Sequence, residues 1–490
     1  MIGEIPMKLI NTAAAALMGA TCIASAGLAK DCAAPLRQPA TEKLMELVVS
    51  DTVLKYQLEQ SIALGQRING DPMTNPVASL EDYYHFIDAL VTYNPQNIMT
   101  GTLNGQTRVS MDGKNYCNWN ILDILAYSYF LVDRQLTTDP RGQIQFANDK
   151  FGEWMRDIAV EWGNYLETPA SAINVPDFTS DPNYATWTSA SDPGTSPWYC
   201  PPEGGYDTFQ AFFTREFCAA TFPNGSRPVQ GYDDPRTVVA IGDSTSAGRW
   251  PISEDGKLVT TYDGVAQSGR VIKGQLYSDV HDFILGGEGE TVIESFGSID
   301  PTLFDGGTWT HQFLNVNNYH RLHVPVAGKI VYLKHLQSAV RMKSGWSQAI
   351  GEGEVSFYDP RDTADWQFGQ TRMVIGIDTG EPHGVVVISP MGMAQVSGIQ
   401  KRQWVIENAQ ALKGQEFANF AFGGSDFVVM FEKKAGFVLT VDVLPEEAPG
   451  AGVNYTGSLQ GEKYGCFGGD PGCSAIPGAA NQPPPIPADQ

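Results

Sequence analysis

Two textures of hydrophobic spacing divide the chain. From about Thr41 to Thr168 apolar residues recur at helical intervals. In "SLEDYYHFIDALVTYNP" the residues Tyr83, Phe86, Ile87, Leu90 and Val91 share one face, and Ser79 with Asp82 resembles a capping box. Phe151, Trp154, Met155, Ile158 and Trp162 repeat the spacing and predict a second amphipathic helix. Such stripes read as helix core without chemistry, and His85 among them reads as structural. Residues 169–205, crowded with Pro, Ser, Asp and Gly, predict a linker. Beyond it the apolar runs become short and β-like, "TVVAI", "KIVYL", "MVIGI", "GVVVIS", "FVVMF" and "FVLTVDV", punctuated by Gly, Asp and Pro. The expected fold class is α+β: a helical N-terminal domain over 30–168, then a mostly β domain over 206–445. Residues 446–490, rich in Gly and Pro, predict a weakly ordered tail.

Composition narrows the functions. With 42% hydrophobic and 18% charged residues the chain is globular, and 55 acidic against 32 basic side chains give a net charge of -23, which excludes nucleic acid as a partner. The start, "MKLINTAAAALMGATCIASAGLAKDCAAP", has one Lys, an Ala-rich apolar run and small residues spaced like a cleavage site. It predicts a signal peptide over 1–29 and a secreted or periplasmic product, with peripheral membrane contact as an option. No later segment approaches the ~20 apolar residues of a bilayer-spanning helix, so none is expected in the mature chain. Of seven cysteines, Cys22 leaves with the signal; Cys32, Cys117, Cys200, Cys218, Cys466 and Cys473 allow up to three disulfides. Cys466 with Cys473, flanking "FGGDPG", is the pair close enough in sequence to propose. Zinc-ligand spacing with histidine is absent, so no metal is expected.

The chemistry turns on "VVAIGDSTSAGR", Val238 to Arg249. Read alone, its Gly-Asp-Ser offers Ser244 as an esterase nucleophile. That reading needs a closing Asp-x-x-His, and the last histidine, His383 in "EPHG", has no aspartate three residues before it. Two further stretches combine unusual residues: "NNYHRLHVPVAG", with His320 and His323 around Arg321, and "KGQEFANFAFGGSDFVVMFE", with Gly423, Gly424 and Ser425 between apolar runs.

In order and spacing these stretches resemble the phosphatidylserine decarboxylase family of pyruvoyl-dependent enzymes. The resemblance runs over residues 206 to 435, from "FQAFFTREFCAATFPNGSRPV" through "IKGQLYS", the Tyr319 to Pro325 block and "MAQVSGI" to "FGGS". It implies a precursor that cuts itself between Gly424 and Ser425. Ser425 is the nucleophile and future pyruvoyl group, His323 the base, Asp243 its orienting carboxylate and His320 the acid that delivers a proton after carbon dioxide leaves. Gly424 fits a tight turn in which the hydroxyl reaches its preceding carbonyl. The pyruvoyl group is then the only cofactor, an electron sink for an amine-bearing substrate. The implied reaction converts phosphatidylserine to phosphatidylethanolamine; the long helical region resembles the extension of members acting on tryptophan and offers a free aromatic amino acid as the alternative. The two chains are expected to stay associated, with a homodimer as one assembly. Asp426, where the family usually has Thr or Ser, is a departure that also allows a third reading, a secreted binding protein on the same fold that does not mature.

Overall fold

The computed structural model describes residues 36–97, 111–138, 142–180, 198–441 and 458–469, apart from short stretches between 263 and 397, together with Cys473 and residues 480–481. The predicted signal peptide and parts of "IKGQLYS" and "MAQVSGI" lie outside the described residues.

The amino-terminal half is helical where its apolar spacing is helical. Helices run over Pro39–Ser50, Thr52–Ile68, Leu80–Leu90, Ile121–Phe130 and Asp149–Leu166. Four of the five starts are set by a capping side chain: Asp51, Ser79, Asn120 and Asn148 accept hydrogen bonds from the first-turn amides of the helices that follow them, while the first helix opens on Pro39. Ser79 Oγ also donates to Asp82, which closes the expected capping box. Phe151, Trp154, Met155, Ile158 and Trp162 are all buried. Within the expected linker, Pro169–Asn174 and Val175–Ser180 are a 3-10 turn and a short helix, because Val175 and Phe178 bury against the Phe209–Phe213 helix rather than staying in solvent.

The remainder is mostly β. One antiparallel sheet runs in the order Gln410–Ala411, Gly328–Gln337, Thr371–Asp378, Val385–Met393, Gly424–Phe431, Thr308–Leu314 and Thr245–Pro251, with Thr291–Gly297 also paired to Gly328–Gln337. Most of the β-like runs read from the sequence are strands of this sheet; "TVVAI" and "FVLTVDV" instead give short strands, Thr237–Val239 and Val438–Leu439, in a sheet with Lys463–Cys466. Residues 458–467 are therefore folded, whereas composition alone predicts loose tail. They carry no apolar periodicity, and what orders them is pairing with residues more than 200 positions earlier.

Helices and sheet share one core. The helix Ile121–Phe130 is buried along its whole length and packs on the hairpin Lys343–Ser347/Phe357–Arg361. Tyr358 of that hairpin stacks between Tyr127, Phe130 and Trp346, and its hydroxyl donates to Thr74 O at 2.8 Å. Tyr358→Ala leaves an aromatic-sized hole between the two regions, and its expected cost is about 3–5 kcal/mol of unfolding free energy, read from urea denaturation of the purified chain.

Candidate active site

Ser425 is the second residue of the Gly424–Phe431 strand, paired with Gly392 on one side and Leu314 on the other. Successive side chains of a strand point to opposite faces. Phe427, Val429 and Phe431 enter the large core shared with the helices, while Val428 and Met430 enter a smaller core beyond the sheet. Ser425 belongs to the first face and Asp426 to the second. There Asp426 Oδ2 meets His311 Nε2 at 2.6 Å, both side chains buried. The carboxylate that departs from the family pattern thus sits across the sheet from the serine hydroxyl and is held by an imidazole. Ser425 itself is buried, with Oγ 3.2 Å from the Gly423 carbonyl. The backbone that demands glycine lies at Gly423, with φ 144°, one residue before the expected position; Gly424 already pairs with Met393.

The double-histidine block lies beside this turn. Arg321–His323 pairs with Glu416–Phe420, and the Phe420 amide donates to His320 O at 3.0 Å, five residues ahead of Ser425. His320 is fully buried with its ring stacked on Phe213 at 3.6 Å; Phe213 in turn packs on Phe422. Among the described residues neither ring nitrogen of His320 reaches full hydrogen-bond geometry, although the Asn318 backbone lies close by. Burial, and then the nearby Arg215, hold this imidazole well below the usual histidine range against an opposing influence from the Asn318 backbone. His323 is equally buried but fully engaged: Nδ1 lies 2.8 Å from Gly414 O and Nε2 3.1 Å from the Tyr319 hydroxyl. A carbonyl only accepts, so Nδ1 carries the proton and the lone pair a base needs is on Nε2. Burial lowers this imidazole to about 4, the Gly414 contact opposing, which leaves it neutral at physiological pH. Arg321 braces the block through Glu416, which also binds Arg402, and through Glu216.

Asp243 lies in the turn between Thr237–Val239 and Thr245–Pro251. It is brought near His323 through the backbone, since the His323 amide donates to Ile241 O at 2.8 Å. The expected side-chain contact is different. Among the described residues Asp243 makes no hydrogen bond to His323, whose orienting acceptor is Gly414 O. Asp243 instead forms a buried, two-pronged pair with Arg227, Nη2 to Oδ2 at 2.8 Å, and takes a third hydrogen bond from the Gln460 amide at 2.9 Å. The guanidinium carbon lies over Trp198 at 4.5 Å and Phe217 at 4.7 Å. These rings, with Tyr199, Phe222 and Tyr319, form one aromatic cluster, and the Cys200–Cys218 disulfide ties its two strands of chain together. The expected Cys466–Cys473 pair is formed as well.

Ser244 is buried and donates to Gln312 Oε1 at 2.6 Å, while His383 lies against Phe467. The esterase reading has no activated serine. Sequence spacing also missed the partners of Asp243: Arg227 stands in the quoted "SRPV" but without an assigned role, and Gln460 stands in the stretch read as tail.

The sequence matches the family model described as phosphatidylserine decarboxylase over residues 209–453, half of the chain's 490 residues. Similar proteins include decarboxylase iboD of Amanita muscaria, 26% identical over 336 residues and covering 64% of this chain and 86% of that one. Phosphatidylserine decarboxylase proenzyme 2 of rice (Oryza sativa subsp. japonica) is 23% identical over 57% of this chain and 37% of its own length. L-Tryptophan decarboxylase of Psilocybe cubensis is 24% identical over 47% of this chain and 48% of its own. The last two matches span less than half of the relatives themselves.

The ionisation of His323 sets a pH test. Its lowered value means that the unfolded chain, titrating near 6.5, binds more protons than the folded one, so stability rises with pH and is lost as pH falls from about 6.5 through about 4. A reaction using the same imidazole as base keeps its rate from pH 8 down to 6 and loses it only near pH 4. Timed appearance of two fragments from newly translated chain measures this, and an acid limb centred at 6.5 would remove His323 in its buried form from the role.

Proposed function

The chain belongs to the phosphatidylserine decarboxylase family, and from that premise we propose that it is a self-processing, pyruvoyl-dependent carboxy-lyase. The observation that carries the reading is that the His320 carbonyl takes the amide of Phe420, in the segment leading into Ser425, while the His323 amide bonds the turn that holds Asp243. In the maturation step Ser425 Oγ attacks the Gly424 carbonyl and turns the peptide bond into an ester. Elimination of that ester, with loss of the Ser425 Cα proton, releases a large chain ending at the Gly424 carboxylate and a small chain starting with a dehydroalanine at residue 425; one water then adds, ammonia leaves, and the pyruvoyl group remains. His323 Nε2 takes the proton, and a buried site without bulk water keeps that nitrogen unprotonated and available. Asp243, paired with Arg227, fixes the turn whose Ile241 carbonyl takes the His323 amide and so holds the imidazole in place. Departure of the small chain is opposed by the register, because its first strand stays paired to Val385–Met393 and Thr308–Leu314, both parts of the large chain.

The fit of the mature group rests on Ser425 and His320. A pyruvoyl carbonyl at residue 425 supplies the electron sink for decarboxylation of an amine-bearing substrate. His320, with neither ring nitrogen in full hydrogen-bond geometry among the described residues and its charge suppressed by burial, is the group left to meet the substrate carboxylate. An anion placed against it raises its proton affinity, so the carboxylate that is to leave arms the acid that replaces it with a proton.

The substrate of this reading is phosphatidylserine. A free aromatic amino acid is the second reading, and a specific contact favours it. Trp162 of the helical region packs edge-on against Phe422 at 4.9 Å, so the helices close on the segment leading into Ser425. The disulfides agree with an exported protein. The binding-protein reading loses its motive, since Asp426 faces away from the serine.

Intact-mass measurement tests the reaction class. Wild type is expected as two chains, the smaller with a carbonyl that reacts with hydroxylamine, whereas Ser425→Ala remains a single unreactive chain. A wild-type chain indistinguishable from Ser425→Ala would end the proposal. Carbon dioxide release from phosphatidylserine vesicles against free tryptophan and phenylalanine then separates the two substrates.

A further inference from the structure

Beyond residue 453, where the family match ends, the chain returns to the site. Ser458 pairs with Ser244 through both of its backbone groups, at 2.8 and 3.0 Å, and Glu462 O accepts from Ala240. Between them Gln460 is fully buried. Its amide donates to Asp243 Oδ1 at 2.9 Å, its Oε1 accepts from the Arg227 amide at 3.1 Å, and its Nε2 donates to Ser226 Oγ at 2.9 Å. Ser226 Oγ donates in turn to the Arg227 carbonyl. The side chain thus grips the backbone of the residue whose guanidinium holds Asp243, while the main chain of the same residue holds the carboxylate directly. Every hydrogen-bonding atom of the Gln460 amide side chain other than one N–H is committed to this contact.

We propose that Gln460 is a positioning residue for Asp243, and that residues 458–462 are a working part of the maturation site rather than an appended tail. This rests on the reading that Asp243 and His323 drive self-cleavage. A buried carboxylate whose hydrogen bonds are incomplete is free to turn, and two of the contacts on the Arg227–Asp243 unit come from this segment. The segment also lies on the small chain that Ser425 begins, while Arg227 and Asp243 lie on the large one. The cleavage serine and the clamp on Asp243 therefore belong to one product chain. The clamp acts on maturation through position, and Gln460 itself touches no reacting atom.

The test compares full-length wild type with Gln460→Met, which keeps length and loses the amide, with Arg227→Lys, with the double variant, and with a chain stopped after Thr456. Fragment formation is timed after cell-free translation under oxidising conditions. Melting temperature is read in the uncleavable Ser425→Ala background. Gln460→Met keeps the main-chain hydrogen bond to Asp243 and loses the two neutral side-chain ones, from the Arg227 amide and to Ser226 Oγ; it is expected to slow cleavage about tenfold, with melting shifted by no more than about 3 °C, roughly the effect of 1 kcal/mol or less. The double variant should be slower than Arg227→Lys by much less than that factor, because both act through Asp243. The stopped chain should cleave no faster than Gln460→Met. Wild-type cleavage by Gln460→Met or by the stopped chain overturns the proposal, as does slowing that tracks a fall in melting temperature. Asp243→Asn and His323→Ala serve as controls: if both cleave normally, the underlying reading of the site fails, whatever Gln460 does.

Discussion

Removing the charges of Arg227 and Asp243 from water costs several kcal/mol per ion, and their attraction repays this only if the remaining donors and acceptors are satisfied. Much of the site's architecture follows from that demand. The carboxylate takes two guanidinium contacts and one main-chain amide, so its lone pairs are largely committed. The guanidinium faces are covered by Trp198 and Phe217, which exclude water and contribute cation–π attraction. Those rings come from two separate stretches of chain, and the Cys200–Cys218 bridge holds the stretches together. Breaking a pair of this kind by removing one partner costs about 3–5 kcal/mol. For that reason Asp243→Asn perturbs folding as well as orientation, and Ser425→Ala, which breaks no ion pair, is the cleaner probe of maturation.

A second constraint is the alternation of the strand that carries Ser425. Adjacent residues of a strand cannot face the same core, so a carboxylate directly after the serine is directed into the opposite layer. In that layer it needs a partner, and His311, a diagonal neighbour on the adjacent strand, provides one. The substitution of Asp for the family's usual hydroxyl residue is thereby accommodated by a local carboxylate–imidazole contact. Its distance from the chemistry comes from the pleat rather than from any flexible avoidance.

Much of this was legible in the sequence, and the parts that were not share a cause. The helices around Phe86 and Trp154 and the strands at Ile375 and Val387 show their own period, because burial on one face or both writes itself into local spacing. His320, His323 and Ser425 stand out in the sequence as blocks of motif, and the Phe420 amide bonded to the His320 carbonyl links the histidine block to the Ser425 segment. The partner of Asp243 does not stand out: a motif names the carboxylate but not the cation that neutralises it. Residues 458–467 were misread as loose tail because "LQGEKYGCFGG" has no period of its own. Their order comes from pairing with Thr237–Val239 and from hydrogen bonds to Asp243 and Arg227, all far away in sequence.

In the proposed reaction the two histidines divide the work through their surroundings. Both are buried and both are held neutral, yet among the described residues His323 has each nitrogen assigned a partner and His320 has neither in full hydrogen-bond geometry. A base that acts once, on its own chain, benefits from a fixed tautomer, which the Gly414 carbonyl enforces. An acid that must act on every turnover benefits from the reverse, since open nitrogens leave room for a substrate group to bind and to change its charge. Stacking on Phe213 fixes the plane of His320 without occupying its edges. An aromatic neighbour therefore suits the turnover histidine and a carbonyl suits the maturation histidine, although the two side chains lie only three residues apart.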